Sequence, residues 1–184
     1  MRIIAGQCKG RKLLSPTGDA IRPTSDRTRE ALFNLLMHGQ YAGEAIIGQH
    51  VVDVCCGTGA MGLEALSRGA RLATFIDRDK NALELAKKNA VHCGMSQASF
   101  FVQADVTKLP VAREPAALVI MDAPYDTPLL ADTYRSLQHQ GWMTPGTLLV
   151  AEQRRDAPVP VLEGSEILET RQYGKTAIHI FRAA

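Results

Sequence analysis

From Val51 onward the chain repeats a short apolar run, a turn and a helical pattern, and this alternation constrains its fold more than any other feature. Neighbouring parallel strands need a crossover of a dozen or more residues, usually a helix, so the repeat predicts an α/β fold with a mostly parallel sheet. "HVVDVC" is the first strand, followed by a Gly-rich turn and a helix through about Ser67, with Gly69 as its stop. "RLATFID" is the second strand, and Asp79 is placed to cap the helix "KNALELAKKNAVHC". Ala82, Leu85, Ala86 and Asn89 of that helix follow the i, i+3, i+4, i+7 rule until Gly94. "ASFFVQAD" and "AALVIMD" are the third and fourth strands, near-continuous apolar runs of the kind found in strands covered on both faces. A helix around Leu129 to Gln140 and a fifth strand, "GTLLVAEQ", come next. The Pro-broken "RDAPVPVLEGS" is an exposed connection. "SEILETRQYGKTAIHIFR" then has two extended segments around Gly174-Lys175 with no helix between them, a hairpin that adds antiparallel strands and brings the expected sheet to seven.

Ahead of the sheet, "MRIIAGQCKGRKLLSP" reads as a small hairpin turning near Lys9-Gly10. "SDRTREALFNLLMHG" reads as an amphipathic helix with Leu32, Leu35 and Leu36 on one face and Arg27 and Arg29 toward another. With 184 residues the chain is long enough for one sizeable core. We expect residues 1–40 to be a hairpin-and-helix extension of the same unit as the α/β body at 41–184. Charge is unevenly spread: residues 1–40 hold seven Lys or Arg against three acids, a balance of +4, while the whole chain is +2. A basic segment on a mildly acidic body suggests a polyanion held at one end of the molecule. No stretch reaches the roughly 18 consecutive apolar residues of a membrane span, and the start lacks the apolar core of a secretory signal, so the expectation is a cytoplasmic protein without a membrane partner. Cys8, Cys55, Cys56 and Cys93 form no C-x-x-C pair and have no His at zinc-ligand spacing, so no metal is expected.

"DVCCGTGAMG" follows the first strand and opens a helix, and Gly57, Gly59 and Gly62 match G-x-G-x-x-G. That pattern serves NAD, FAD and S-adenosylmethionine alike, and an acid about 20 residues on, here Asp77, binds ribose hydroxyls in each case. Two further acids favour the last of these. Asp53 lies just before the loop, where a carboxylate repels a pyrophosphate but can meet a ligand carrying an amine and a sulfonium. Asp105 closes the third strand and can accept from the amino group of an adenine.

"DAPY" closes the fourth strand. Pro124 restricts Ala123 to an extended conformation, so the Ala123 carbonyl points in a set direction. Asp122 and that carbonyl are two acceptors for the two hydrogens of an exocyclic amine, while Tyr125 stacks on the ring that carries it. A purine amine is a poor nucleophile because its lone pair is delocalised; accepting both hydrogens orients the nitrogen toward an electrophilic methyl.

Asp53 to Gly59, Asp77, Asp105 and "DAPY" resemble, in that order, the motifs of amino-group-specific class I S-adenosylmethionine methyltransferases. With "MRIIAG", "GRKL" and "RPTSDRTREALFNLL", the chain from Met1 to the terminal hairpin is similar to the RsmD family, which methylates the N2 amine of a guanine in small-subunit ribosomal RNA. The resemblance implies a Rossmann-like methyltransferase with S-adenosylmethionine as cofactor, Gly57 and Gly59 lining it, Asp77 on its ribose and Asp105 on its adenine. It further implies Thr24 of the "RPT" at the methionine end, beside Arg22, and Arg2, Lys9, Arg11, Lys12 and Arg22 on RNA phosphates. The implied partner is ribosomal RNA within the small subunit or an assembly intermediate, and the chain is expected to be a monomer. The family pattern is usually D-P-P-Y; here Ala123 stands at the second position. Competing readings are an adenine-N6 methyltransferase, a dinucleotide-dependent oxidoreductase, in which Asp53 and "DAPY" have no task, and a non-catalytic RNA-binding module of the same fold.

Overall fold

The computed structural model describes residues 1–15, 26–38, 40–41, 43–122 and 127–184. Its centre is β1 (His50–Val54), buried along its whole length because both faces of the sheet are covered. Val51 enters one core with α1 (Asp26–Met37), α2 (Ala60–Ser67) and α3 (Lys80–His92), while Val52 and Val54 enter the other with α4 (Thr127–His139). Around β1 stand β2 (Leu72–Asp77), β3 (Ser99–Gln103), β4 (Leu118–Met121) and β5 (Leu148–Arg154), with the hairpin β6 (Ser165–Tyr173) and β7 (Thr176–Ala183) beyond. The seven-stranded order is β3-β2-β1-β4-β5-β7-β6. β1 pairs in parallel with β2 on one side and β4 on the other, and β7 runs antiparallel to both β5 and β6. The direction of winding therefore reverses at β1, and beyond the carboxyl ends of β1 and β4 lies the switch point where sheets of this kind have their ligand crevice.

Local chemistry sets the element ends. Asp79 caps α3, its Oδ1 accepting the Asn81 N–H at 2.8 Å. Gly69 and Gly94, at φ 104° and 71°, follow α2 and α3 in the left-handed region that glycine tolerates best.

Two expectations are corrected. β3 is not doubly covered: it is an edge strand, as β6 is at the other side of the sheet, with Phe100 42 % exposed. Its aromatic content serves ring contacts: Phe101 stacks on Phe75 of β2 at 5.1 Å, and the Arg113 guanidinium covers Phe100 at 5.7 Å. Arg29 does not face away from the α1 leucines; it is 1 % exposed, beside Leu32, Phe33 and Leu36. Burial is tolerable because the guanidinium finds partners, donating to the Arg2 carbonyl at 2.6 Å and to Asp26 Oδ1 at 2.8 Å.

Those bonds belong to a larger junction. The N-terminal segment does turn back near Lys9-Gly10, with Arg2 bridged to Lys12 and Ile3 N–H on the Arg11 carbonyl at 2.9 Å. It is fastened to α2 by Glu64, fully buried, which accepts the N–H groups of Ile4 at 2.7 Å and Ala5 at 3.1 Å. Glu64 also accepts from Arg68 Nε at 2.7 Å and lies 3.9 Å from Arg29 Nε. Ser67 completes the seam by donating to the Ala5 carbonyl at 2.5 Å and accepting the Cys8 N–H at 3.0 Å. At Gly6 any side chain would overlap the Ser67 carbonyl, so the close approach requires glycine there.

Removing the Glu64 carboxylate strands the buried Arg68 guanidinium and two amide donors, while Arg29 keeps Asp26 and the Arg2 carbonyl. Glu64→Ala is expected to lower unfolding free energy by about 3–5 kcal/mol in urea denaturation, the cost of breaking a buried ion pair from one side. A loss below about 1 kcal/mol, the level of a surface pair, would mean that the junction carries no such weight.

Candidate active site

The turn from β1 to α2 packs three left-handed residues into five positions: Cys55 at φ 58°, Gly57 at 52° and Gly59 at 77°. The three glycines of the motif do different work. A Cβ on Gly57 would meet nothing within 4 Å, so that stretch of backbone is open to a ligand. A Cβ on Gly59 would press on Ala86 at 3.0 Å and on the Phe75 ring at 3.2 Å, and one on Gly62 would overlap that ring. Gly59 and Gly62 thus let α2 settle onto β2 and α3, and Gly57 keeps the outer face bare.

Side chains on the strand ends hold this turn in place. Asp77, at the end of β2, accepts the Gly57 N–H at 3.0 Å through one oxygen and the Asp79 N–H at 2.9 Å through the other. Asp53, one residue before the end of β1, is 1 % exposed and accepts the Gly62 N–H at 2.8 Å. Burial drives its carboxyl well above the usual carboxylate range, opposed by the Gly62 N–H and reinforced by the charges of Asp122 and Asp77. The same surroundings push the Cys55 thiol up to about 12, through burial first and then Asp77, Asp53 and Asp122, and push Cys56 higher still. Neither cysteine offers a thiolate nucleophile near neutral pH. Asp105 lies two residues beyond the end of β3 and is exposed, its Oδ1 accepting the hydroxyl of Thr107 at 2.7 Å and the N–H at 2.9 Å. These bonds hold its carboxyl below the usual range. Ala104 N–H on the Asp77 carbonyl, at 3.1 Å, draws the chain before Asp105 alongside the end of β2.

The structure thus brings Asp53, Asp77, Asp105 and Asp122 to one end of the sheet, around the crevice at the switch point. Asp122 follows β4 directly and is half-buried. Ala123, Pro124 and Tyr125, and with them Arg22 and Thr24, lie outside the described residues. Of the basic residues, Arg2, Lys9, Arg11 and Lys12 are all exposed on the hairpin, and the Arg11 guanidinium donates to the His92 carbonyl at the end of α3. Sequence reasoning missed Arg29 and Glu64 as partners. The available signal was Glu64 itself, the one charged residue in the otherwise apolar or small "AMGLEALS". A charge in a helix that is apolar all round must be paired.

An ensemble of carboxylates around a bare glycine backbone suits a ligand that is positively charged at one end and carries a ribose diol. A pyrophosphate would meet repulsion from Asp53 and Asp122. Comparison with known proteins agrees with this chemistry. The profile of a family described as Conserved hypothetical protein 95 matches residues 1–182. Ribosomal RNA small subunit methyltransferase D of Haemophilus influenzae is 32% identical over 99% of this chain and 93% of its own length. The protein of the same name from Escherichia coli K12 is also 32% identical, over 99% of this chain and 89% of its own. A solved putative methyltransferase of Escherichia coli superposes with a TM-score of 0.84 at 29% identity, covering 100% of this chain and 97% of that one. With its profile matched almost end to end, the chain belongs to the Conserved hypothetical protein 95 family, the RsmD family of methyltransferases to which its motifs pointed.

Proposed function

We propose that this chain transfers a methyl group from S-adenosylmethionine to the exocyclic N2 amine of a guanine in small-subunit ribosomal RNA. The observation that carries the reading is the meeting of the Gly57 backbone, Asp53, Asp77 and Asp122 at the switch point, in a chain similar along its length to ribosomal RNA methyltransferases. S-adenosylmethionine supplies the methyl as a carbon made electrophilic by its sulfonium. In this reading Gly57 and Gly59 line the cofactor, Asp77 takes the ribose hydroxyls and Asp105 the adenine amino group. Asp53 and Thr24 serve the methionine end, with Arg22 nearby on the RNA side. Asp77 has each oxygen already engaged by one N–H, which orients the carboxylate and leaves further lone pairs for hydroxyl donors.

Asp122 and the Ala123 carbonyl accept the two hydrogens of the guanine amine, and Tyr125 stacks on the base. With S-adenosylmethionine bound, the N–C bond would form as the carbon–sulfur bond breaks and the sulfur leaves as a neutral thioether. The nitrogen becomes strongly acidic on methylation, so its proton passes to Asp122 or to water after attack rather than before it. Positioning and charge are the protein's contribution. Arg2, Lys9, Arg11 and Lys12 hold phosphates, which makes residues 1–40 a working part of the same unit as 41–184; the Glu64 junction supports that view. We take the enzyme to act as a cytoplasmic monomer on the small subunit or an assembly intermediate. Among the described residues no helix is long and apolar enough to cross a membrane.

A labelled-methyl assay on small subunits, naked ribosomal RNA, DNA and free nucleosides, followed by nucleoside analysis, is expected to yield N2-methylguanosine. Label in N6-methyladenosine, or none, would overturn the assignment. Asp122→Ala is expected to cut the single-turnover rate by about 10²- to 10³-fold, the range seen when one group that stabilises a transition state is removed. Its cofactor titration should barely move, and Ala123→Pro should keep or raise the rate. An Asp122→Ala enzyme at full speed defeats the scheme.

Asp53 gives a separate test. Its carboxyl is raised on folding, so its stabilising contribution is complete below the unfolded value and is lost as pH rises through the folded one. Asp53→Asn keeps an oxygen for the Gly62 N–H and removes a buried charge. The expected outcome is a higher Tm near neutral pH, a gap that closes on acidification, and weaker cofactor binding. A Tm difference independent of pH would contradict this.

A further inference from the structure

We propose that the RNA-gripping surface continues from the hairpin onto one flank of α3, where Lys88 and His92 contact the phosphate backbone; this extension rests on the reading that the hairpin binds RNA. The hairpin is seated on that helix by specific bonds. Asn89 accepts the Leu14 N–H at 2.7 Å and donates to the Leu14 carbonyl at 3.1 Å, and its amide also reaches the Thr58 carbonyl at 2.9 Å. Arg11 donates to the His92 carbonyl, and Cys8 Sγ to the Cys93 carbonyl at 3.2 Å. Arg11 and Lys12 are therefore carried beside the last turn of α3.

Helical geometry then decides which lysine joins them. Ala82, Leu83, Ala86, Asn89 and Ala90 are buried, which fixes the inner face of α3. Lys88 and His92 are four residues apart on one ridge, both exposed, with His92 on the Asn89 side of the inner face and Lys88 nearer the outermost line of the helix. Lys87, next in sequence, is rotated by about 100° and falls on the opposite flank. There it lies over the Phe101 ring at 5.8 Å and pairs with Glu84 at 2.7 Å. Glu84 is one turn before Lys88 but is engaged by Lys87, and among the described residues no acid forms an ion pair with Lys88. Neighbouring lysines thus have separate places, one in a ring-and-carboxylate contact over β3 and one exposed to solvent a turn before His92.

The ridge also leads somewhere. α3 starts just after Asp77, so a strand laid from Lys12 along His92 and Lys88 runs toward the crevice. Lys88 stands about 12 Å along the axis from the first turn of α3. A single RNA strand held by its phosphates on this ridge would present its bases to the site without any reading of sequence by Lys88.

Binding of the intact enzyme to naked small-subunit ribosomal RNA and to small subunits, measured across salt concentrations, tests this. Each lost phosphate contact flattens the slope of log K against log salt by about 0.7–0.9. Lys88→Gln is expected to flatten it by that amount with unchanged cofactor affinity, while Lys87→Gln leaves the slope as it is. A Lys88→Gln slope equal to wild type, or an equal change from Lys87→Gln, overturns the extension. Arg11→Gln and Lys12→Gln separate the two levels. If they flatten the slope and Lys88→Gln does not, the extension alone fails; if none does, or the wild type binds neither RNA nor subunits, the hairpin reading fails with it.

Discussion

The helix Ala60–Ser67 is held by two buried carboxylates that work in opposite directions. Asp53 reaches up from β1 to the Gly62 N–H and secures the first turn, and Glu64 reaches out to Ile4 and Ala5 and secures the N-terminal hairpin. Both acids are nearly or fully shielded from water, where an unpaired charge would be very costly. Their partners are backbone amides and, for Glu64, the guanidinium groups of Arg68 and Arg29. One rigid rod therefore links the proposed cofactor turn to the proposed RNA grip. Displacing it by an ångström would disturb both, because Gly62 already sits against the Phe75 ring with no room for a methyl group.

The electrostatic character of the crevice follows from the topology. Parallel strands deliver their carboxyl ends to one edge, and an acid at or near the end of β1, β2 and β4 gathers Asp53, Asp77 and Asp122 there. Burial first, and then the mutual repulsion of these acids, raises the proton affinity of Asp53 and of the Cys55 thiol, a standing cost. A bound cation relieves that cost, so the arrangement favours a ligand carrying positive charge over one carrying phosphates. Backbone strain adds to this picture: Cys55 is a non-glycine residue at φ 58°, at the entrance to the turn.

Much of this was readable from residue order. Apolar runs broken by glycine and helical periodicity located the strands of the sheet, and the lack of a helix between Ser165 and Arg182 announced the antiparallel hairpin. Asp53, Asp77 and Asp122 fall where strand ends must lie. What escaped depends on contacts between distant residues. Phe100 and Phe101 look like interior strand residues, yet β3 is an edge whose rings are covered by Arg113 and Lys87. Arg29 looks like a solvated helix charge, because nothing local reveals that the Arg2 carbonyl and Glu64 wait on its inner side. The exposed position of Asp105, two residues past its strand, likewise depends on how the chain passes Asp77.

Charge of opposite sign on the two parts of the molecule has a consequence for how a nucleotide approaches. The hairpin presents Arg2, Lys9, Arg11 and Lys12 to solvent, while the crevice floor carries clustered carboxylates. A phosphate is drawn to the first and repelled by the second, and exposed charges act over about a Debye length, 8 Å at physiological salt. A neutral base with a donor amine experiences no such repulsion and gains acceptors in the crevice. In the proposed reading the two fields therefore turn the strand so that its backbone stays on the hairpin side and its base enters edge first, before any specific contact forms. Sequence-independent grip and amine-specific chemistry are then divided between the two parts, and the buried bonds of Glu64 keep those parts in register.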